Sequence, residues 1–160
     1  MREQMVTALA SANPANRPVI EQAFANDAVF AQFKTIVARY GLSATNVVDV
    51  MAAYSLVSWK VATGATDPGA SSARAVRGQV LRAAMGNAAM LKASNDEKQR
   101  LAELMAYQVV MEATLNDAFS RQGDAAKLQS LREMTRQAAM RFAPDPTRLK
   151  LTEAGFAPAP

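Results

Sequence analysis

Neither histidine nor cysteine occurs in the 160 residues. The first absence removes the imidazole base. The second removes disulfides, thiolate nucleophiles, thiolate zinc sites and Cys-ligated iron–sulfur clusters, leaving carboxylates, hydroxyls, amines and guanidinium groups to do any chemistry. Aromatic residues are 6% of the chain, glycine and proline number 7 each, and no long alternating β-branched run is present. Together with abundant alanine, that scarcity favours helices over sheets. A long apolar run is also missing: the most apolar window, Val47 to Ala62, is interrupted by Asp49 and Lys60 and is too short and polar to span a bilayer. Met1 to Ala12 lack the basic start, apolar middle and small-residue cleavage site of a secretory signal, so a cytoplasmic chain or an already processed export product is expected. Zero cysteine suits either compartment.

What is present is a chain of 17.1 kDa, half of it hydrophobic, large enough to bury roughly 70% of the surface its unfolded form would expose. The net charge of +4 and pI near 9.7 raise the question of nucleic acid. The excess lies in two stretches. Residues 71–100 carry Arg74, Arg77, Arg82, Lys92, Lys98 and Arg100 against Asp96 and Glu97, and residues 121–150 carry seven basic and three acidic side chains. On helices these cations fall at several angles, and three Tyr and one Trp offer little base stacking. Nucleic-acid binding through Arg74, Arg77, Arg82, Arg132, Arg136 and Arg141 is therefore the weakest functional reading, behind a solvated basic surface.

Helix punctuation is legible along the chain. The pattern predicts a helix from about Arg2 to Ala10, stopped by Ser11, Asn13 and Pro14, then one entered at Pro18 after Asn16 and broken near Asn26. A third, capped by Asn26 with Asp27 in its first turn, carries Val29, Phe30, Phe33, Val37 and Tyr40 and ends at Gly41. Ser43 or Thr45 caps a fourth from about Ala44 to Thr63, ending at Gly64. It is apolar nearly all round and belongs in the middle of the fold. After a loop over Thr66–Ala70, Ser71 or Ser72 caps a helix to Met85. A turn through Leu91 follows, and Ser94 or Asn95 begins the longest helix, which runs to about Arg121 before Gly123. Asp124 caps the last, expected to reach Phe142 with Leu128, Leu131, Thr135, Ala138 and Phe142 facing inward. Arg148 to Leu151 read as a short extended piece, Gly155 as a turn and Ala157 to Pro160 as a frayed tail.

The expected fold is all-α, a compact bundle of six or seven helices in one domain over residues 1–160. An N-terminal helix and linker occupy 1–16, the helical core 17–143, and a C-terminal extension and tail 144–160.

Two constellations place polar groups where helical periodicity wants apolar ones. Leu101, Leu104, Met105, Met111, Leu115 and Phe119 define the inward stripe of the longest helix, and Gln108 and Glu112 lie inside it. A carboxylate aimed at the core must protonate or find a partner, with Lys60 or an Arg of the helix from Ser72 to Met85 as candidates. A satisfied structural contact is preferred over catalysis. Asn46, Asp49 and Lys60 fall within a sector of about 60°, read first as that helix's solvent-facing strip and second as the lining of a cleft. Tyr54, Trp59 and Tyr107 could stack on a ligand, but aromatics at helical spacing are more often core. Gly64 to Gly69 is not a phosphate loop, Lys60 follows Val57 rather than a serine three positions back, and no calcium loop occurs. No cofactor or metal site is expected.

Gly41-Leu42 followed by Asn46 and Ala52-Ala53-Tyr54, then Gln79-Val80-Leu81, form the first part of a set of motifs. Ala93-Ser94-Asn95-Asp96-Glu97-Lys98-Gln99 and the ending Asp145-Pro146 to Leu151-Thr152-Glu153-Ala154-Gly155-Phe156 complete it. In these motifs, over about residues 30 to 156, the chain resembles an uncharacterised proteobacterial family of exported, all-helical proteins, a domain of unknown function. The motifs are capping and packing patterns and bring no catalytic residue with them. The resemblance implies a periplasmic or secreted home.

These features favour a non-enzymatic helical module that binds a protein partner, a second copy of itself included, or a small apolar ligand. The alternative from another class is a hydrolase or lyase using Glu112 and Asp49 as acid and base, which requires both carboxylates to meet in one cleft.

Overall fold

The computed structural model describes residues 28–160 together with Thr7, Arg17, Pro18 and Glu21. The helix expected over Arg2 to Ala10, the break near Asn26 and the Asn26 cap lie outside the described residues. Helix α1 (Ala28–Arg39) buries Phe33 and Val37 of the expected inward face together with Ile36, while Val29 and Phe30 are half-buried. It closes where Gly41 takes φ +67° and Leu42 N–H donates to Val37 O at 3.1 Å, a glycine-dependent C-terminal motif.

Helix α2 (Val47–Thr63) begins three residues later than expected. Asn46 is its cap, the side-chain oxygen accepting from Val48 N at 2.9 Å and Asp49 N at 3.2 Å. Ser43 and Thr45, the expected caps, bond each other instead. The chain therefore stays in a turn until its strongest capping side chain is reached. As the all-round apolar pattern requires, α2 is central, packing on α3, α5 and α6, with Ala52, Ala53 and Leu56 fully buried.

Helix α3 (Ala70–Gly86) starts at Gly69 without a side-chain cap, so Ser71 and Ser72 lie inside it. Asn87 caps the single turn α4 (Ala88–Lys92). Helix α5 (Asn95–Gln122) opens on a capping box, with Ser94 Oγ accepting from Glu97 N at 3.2 Å and the Glu97 carboxylate from Ser94 N at 2.7 Å. Gly123 ends it in the left-handed region, and Asp124 caps α6 (Ala125–Ala139). That helix stops three residues short of Phe142, because the chain unwinds into turns before Pro144. Phe142 is consequently exposed rather than inward-facing.

The C-terminal segment departs most from expectation. Asp145 caps a 3₁₀ turn (Pro146–Arg148), which leads into a hairpin of β1 (Leu149–Thr152) and β2 (Gly155–Pro158), antiparallel with Thr152 opposite Gly155. The tail expected to fray is paired through Pro158, and Ala159 N donates to Arg148 O at 2.8 Å. Two side chains anchor the hairpin to the helices. The Trp59 indole N–H donates to Leu149 O at 3.0 Å, its ring tilted on Phe156, and Gln79 bonds the Phe156 backbone. The fold is all-helical apart from this hairpin, with six helices among the described residues. No helix among them is long and apolar enough to cross a membrane.

Candidate functional site

The buried face of α5 is Met105, Ala106, Val109, Val110 and Glu112, so the carboxyl does point inward. Leu101, Leu115 and Phe119 pack only at the edge of the core. Glu112 is 2% exposed, and its partner is Ser58 of α2, whose Oγ donates to Oε2 at 2.9 Å. Neither Lys60 nor an arginine of α3 reaches it. Burial pushes the Glu112 carboxyl up to about 8 against the opposing pull of the Ser58 hydrogen bond, so the group is protonated at neutral pH. Tyr54, one turn before Ser58, is buried with its ring edge-on to Phe142, and its hydroxyl is pushed up to about 12, first by burial and then by the Glu112 charge. Tyr54 Oη, Gln108 Oε1 and Thr135 Oγ1 are buried without a hydrogen-bond partner among the described residues. Tyr107 of the aromatic trio packs edge-on against Phe30.

Asp49 is buried, contrary to its expected place on a solvent strip. Its carboxylate accepts from Ser43 N at 2.8 Å and from Arg77 Nε. Ser58 lies nine residues further along α2, half a turn round the helix, so Asp49 and the Ser58–Glu112 pair occupy opposite faces of α2. The two carboxylates share no cleft, and the acid–base pair is not assembled. Lys60 bonds Asp67 at 2.7 Å, and the buried Tyr40 hydroxyl donates to the same oxygen. The Lys60 hydrogen bond holds the Asp67 carboxyl below its ordinary value, and burial followed by Asp67 raises the Tyr40 hydroxyl. Asn46, Asp49 and Lys60 thus have separate roles as cap, partner of Arg77 and partner of Asp67.

The basic candidates are likewise dispersed over α3 and α6. Arg74 and Arg82 are exposed on α3, while Arg77 is committed to Asp49. On α6, Arg136 grips Asp145 through Nε and Nη2, at 3.0 and 2.7 Å to Oδ2, and also reaches Glu133. Arg136 and then Thr147 hold the Asp145 carboxyl well below the usual carboxylate range. Arg132 makes no hydrogen bond or ion pair with the described residues, and its Nε is buried without a partner. It lines a cleft of about 260 Å³ with Ala62, Gln129, Glu133, Arg136 and Thr147. A second cleft, of about 110 Å³, lies between α1, α2 and α5 and includes Arg39, Tyr40, Lys60, Asp67 and Asp117.

One surface was not anticipated from the sequence. From Arg82 to Arg100 no residue is buried, although the stretch is helical over most of its length. Met85 and Leu91 are 64% and 63% exposed there, and the stretch carries Arg82, Lys92, Lys98 and Arg100 against Asp96 and Glu97. The signal is present in the chain: after Val76 and Val80 the apolar period of α3 lapses, and Met85 and Leu91 flank the Gly86-Asn87 break.

A model of a family of unknown function, DUF6683, matches residues 1–157, and the chain belongs to that family. No curated protein and no solved structure matches it.

Proposed function

We propose that this member of the family is a non-enzymatic helical interaction module that docks a protein partner through the lobe from Arg82 to Arg100. The supporting observation is the pairing of order with exposure. A five-residue helix such as α4 is not stable alone in water, yet side-chain caps at Asn87 and Ser94 fix the starts of α4 and α5. Met85 and Leu91 are therefore presented at defined positions instead of on a loose coil. Methionine adapts its shape to a facing pocket, and the excess of cations in the same stretch favours a partner with acidic groups beside an apolar depression. A small apolar ligand has less support, since the two clefts at 260 and 110 Å³ are lined largely by polar and charged side chains. Small-molecule sites are usually apolar and about 300–1,000 Å³.

The family resemblance read from the sequence extends the proposal to a periplasmic or secreted module. Fractionation of the source cells, with the chain expressed from its own unaltered gene, distinguishes this from a cytoplasmic one. The docking surface is tested by placing a photo-crosslinking residue at 85 or 91, with exposed Lys34 of α1 as the control position. A discrete adduct from 85 and 91, absent from 34 and lost on Arg82→Glu with Lys92→Glu, is the expected result. An adduct of twice the chain mass identifies a second copy as the partner. No adduct, or the same adducts from all three positions, overturns the proposal.

A further inference from the structure

Gly64, at the end of α2, has φ +69°, and a Cβ built there would stand 2.7 Å from Arg132 Nη2. The glycine is thus required twice, for the left-handed turn and for the space the guanidinium fills. Resting on the C-terminal end of α2, Arg132 meets the negative pole of that helix, which holds a cation without using its hydrogen-bond donors. Those donors are uncommitted: Nε is buried with no partner, and no carboxylate among the described residues pairs with the group. Its neighbour in the cleft, Arg136, is by contrast saturated by Asp145 and Glu133. Gln129, Arg132, Glu133 and Arg136 recur at spacings of three and four along one face of α6, and the Gln129 amide also makes no side-chain hydrogen bond among the described residues. All of the cleft's lining except Ala62 comes from residues 121–150, one of the two basic stretches of the chain, with seven cations and three anions.

Arg132 lines the cleft with a guanidinium that no acceptor among the described residues meets, so an anion entering there binds at the terminal N–H groups beside the enclosed Nε. We infer that Arg132 anchors an oxyanion subsite, in which its planar fork takes a carboxylate or phosphate group with the Gln129 amide as second donor. The site is independent of the lobe from Arg82 to Arg100. Its cleft of about 260 Å³ is open enough for a small anion or the carboxylate end of a larger molecule.

The test follows the Nε–H resonance of Arg132 in the intact chain during separate titrations with sodium phosphate, sodium acetate and sodium chloride at matched ionic strength. A saturable shift with phosphate or with acetate, absent with chloride, is expected, and the arm that saturates identifies the anion. Gly64→Ala, which pushes the guanidinium from its cradle, should weaken the saturating arm by about tenfold, equal to ~1.4 kcal/mol. Gln129→Ala, on an exposed position, should weaken it less. A response equal in all three salts, or none, overturns the subsite. The wild-type titration alone decides between these outcomes, so a variant that fails to fold does not change the result.

Discussion

The side-chain amide of Gln79 closes a two-bond ring on the backbone of Phe156: Nε2 donates to the carbonyl oxygen and Oε1 accepts from the amide N–H, both at 2.9 Å. A helix side chain thus supplies the donor and acceptor that a third strand would offer. Gly155 makes the approach feasible, since its φ is +103° and a Cβ there would lie 2.5 Å from Gln79 Oε1.

Gln79→Ala removes both bonds and should cost about 1–2 kcal/mol. Hydrogen exchange should quicken across residues 149–158 while α2 and α5 keep their protection. Unchanged exchange in the hairpin would show that Trp59 alone is sufficient to hold it.

Glu112 sets a pH dependence with a definite sign. Unfolded, its carboxyl ionises near 4.5; folded, near 8. Between those values the native state keeps a proton that the unfolded state has released. Stability therefore falls as pH rises, by about 1.4 kcal/mol per unit, and is flat with respect to this group outside the window. The carboxylates with lowered values, Asp67, Glu97, Asp124, Glu133 and Asp145, act in the opposite sense and only on the acid side of the window. Melting temperature should decline from pH 5 to 8 in the wild type and much less in Glu112→Gln. Parallel profiles for the two would mean that the carboxyl is hydrated.

Removing Arg77 should destabilise more than neutralising Asp49. Arg77→Ala leaves a buried carboxylate with only the Ser43 N–H, a loss of roughly 1–3 kcal/mol. Asp49→Asn keeps an acceptor for Ser43 and frees an arginine that is already more than a third exposed to water. Chemical denaturation of both variants gives the order.

Gly64→Ala combines the strain of a left-handed alanine, about 1–2 kcal/mol, with displacement of the Arg132 guanidinium. In an Arg132→Ala background only the strain remains. A double-mutant cycle should therefore show coupling of roughly 0.5 kcal/mol or more. Strict additivity would place the guanidinium elsewhere.

Most of the helical frame was legible because its punctuation is local. Ser94 with Glu97, Gly123 followed by Asp124, and Gly41 and Gly64 in the left-handed region are signals within four residues of the ends they set. The same locality explains the errors. Ser43, Thr45, Ser71 and Ser72 are plausible caps by type, and only the competing turn around Asp49 and the bare start at Gly69 displace them. The extended piece near Leu149 is legible, but the strand that pairs with it and the seat of both on the helices are not, because the anchoring side chains, Gln79 and Trp59, lie 77 and 90 residues from their partners. At the interior polar site, periodicity showed that Glu112 faces inward, but Ser58 is 54 residues away and a serine on an apolar helix carries no mark of its partner. The exposed lobe was invisible for the converse reason: amphipathic spacing reports which residues can be buried, not whether anything covers them.

The sole tryptophan of the chain, Trp59, is fastened by its indole to the C-terminal hairpin. Its emission is therefore an unlabelled optical gauge of whether that hairpin is seated. Detachment would wet the ring and move its fluorescence to longer wavelength while the helical circular dichroism stayed constant, so a single cuvette can separate loss of the clasp from melting of the bundle.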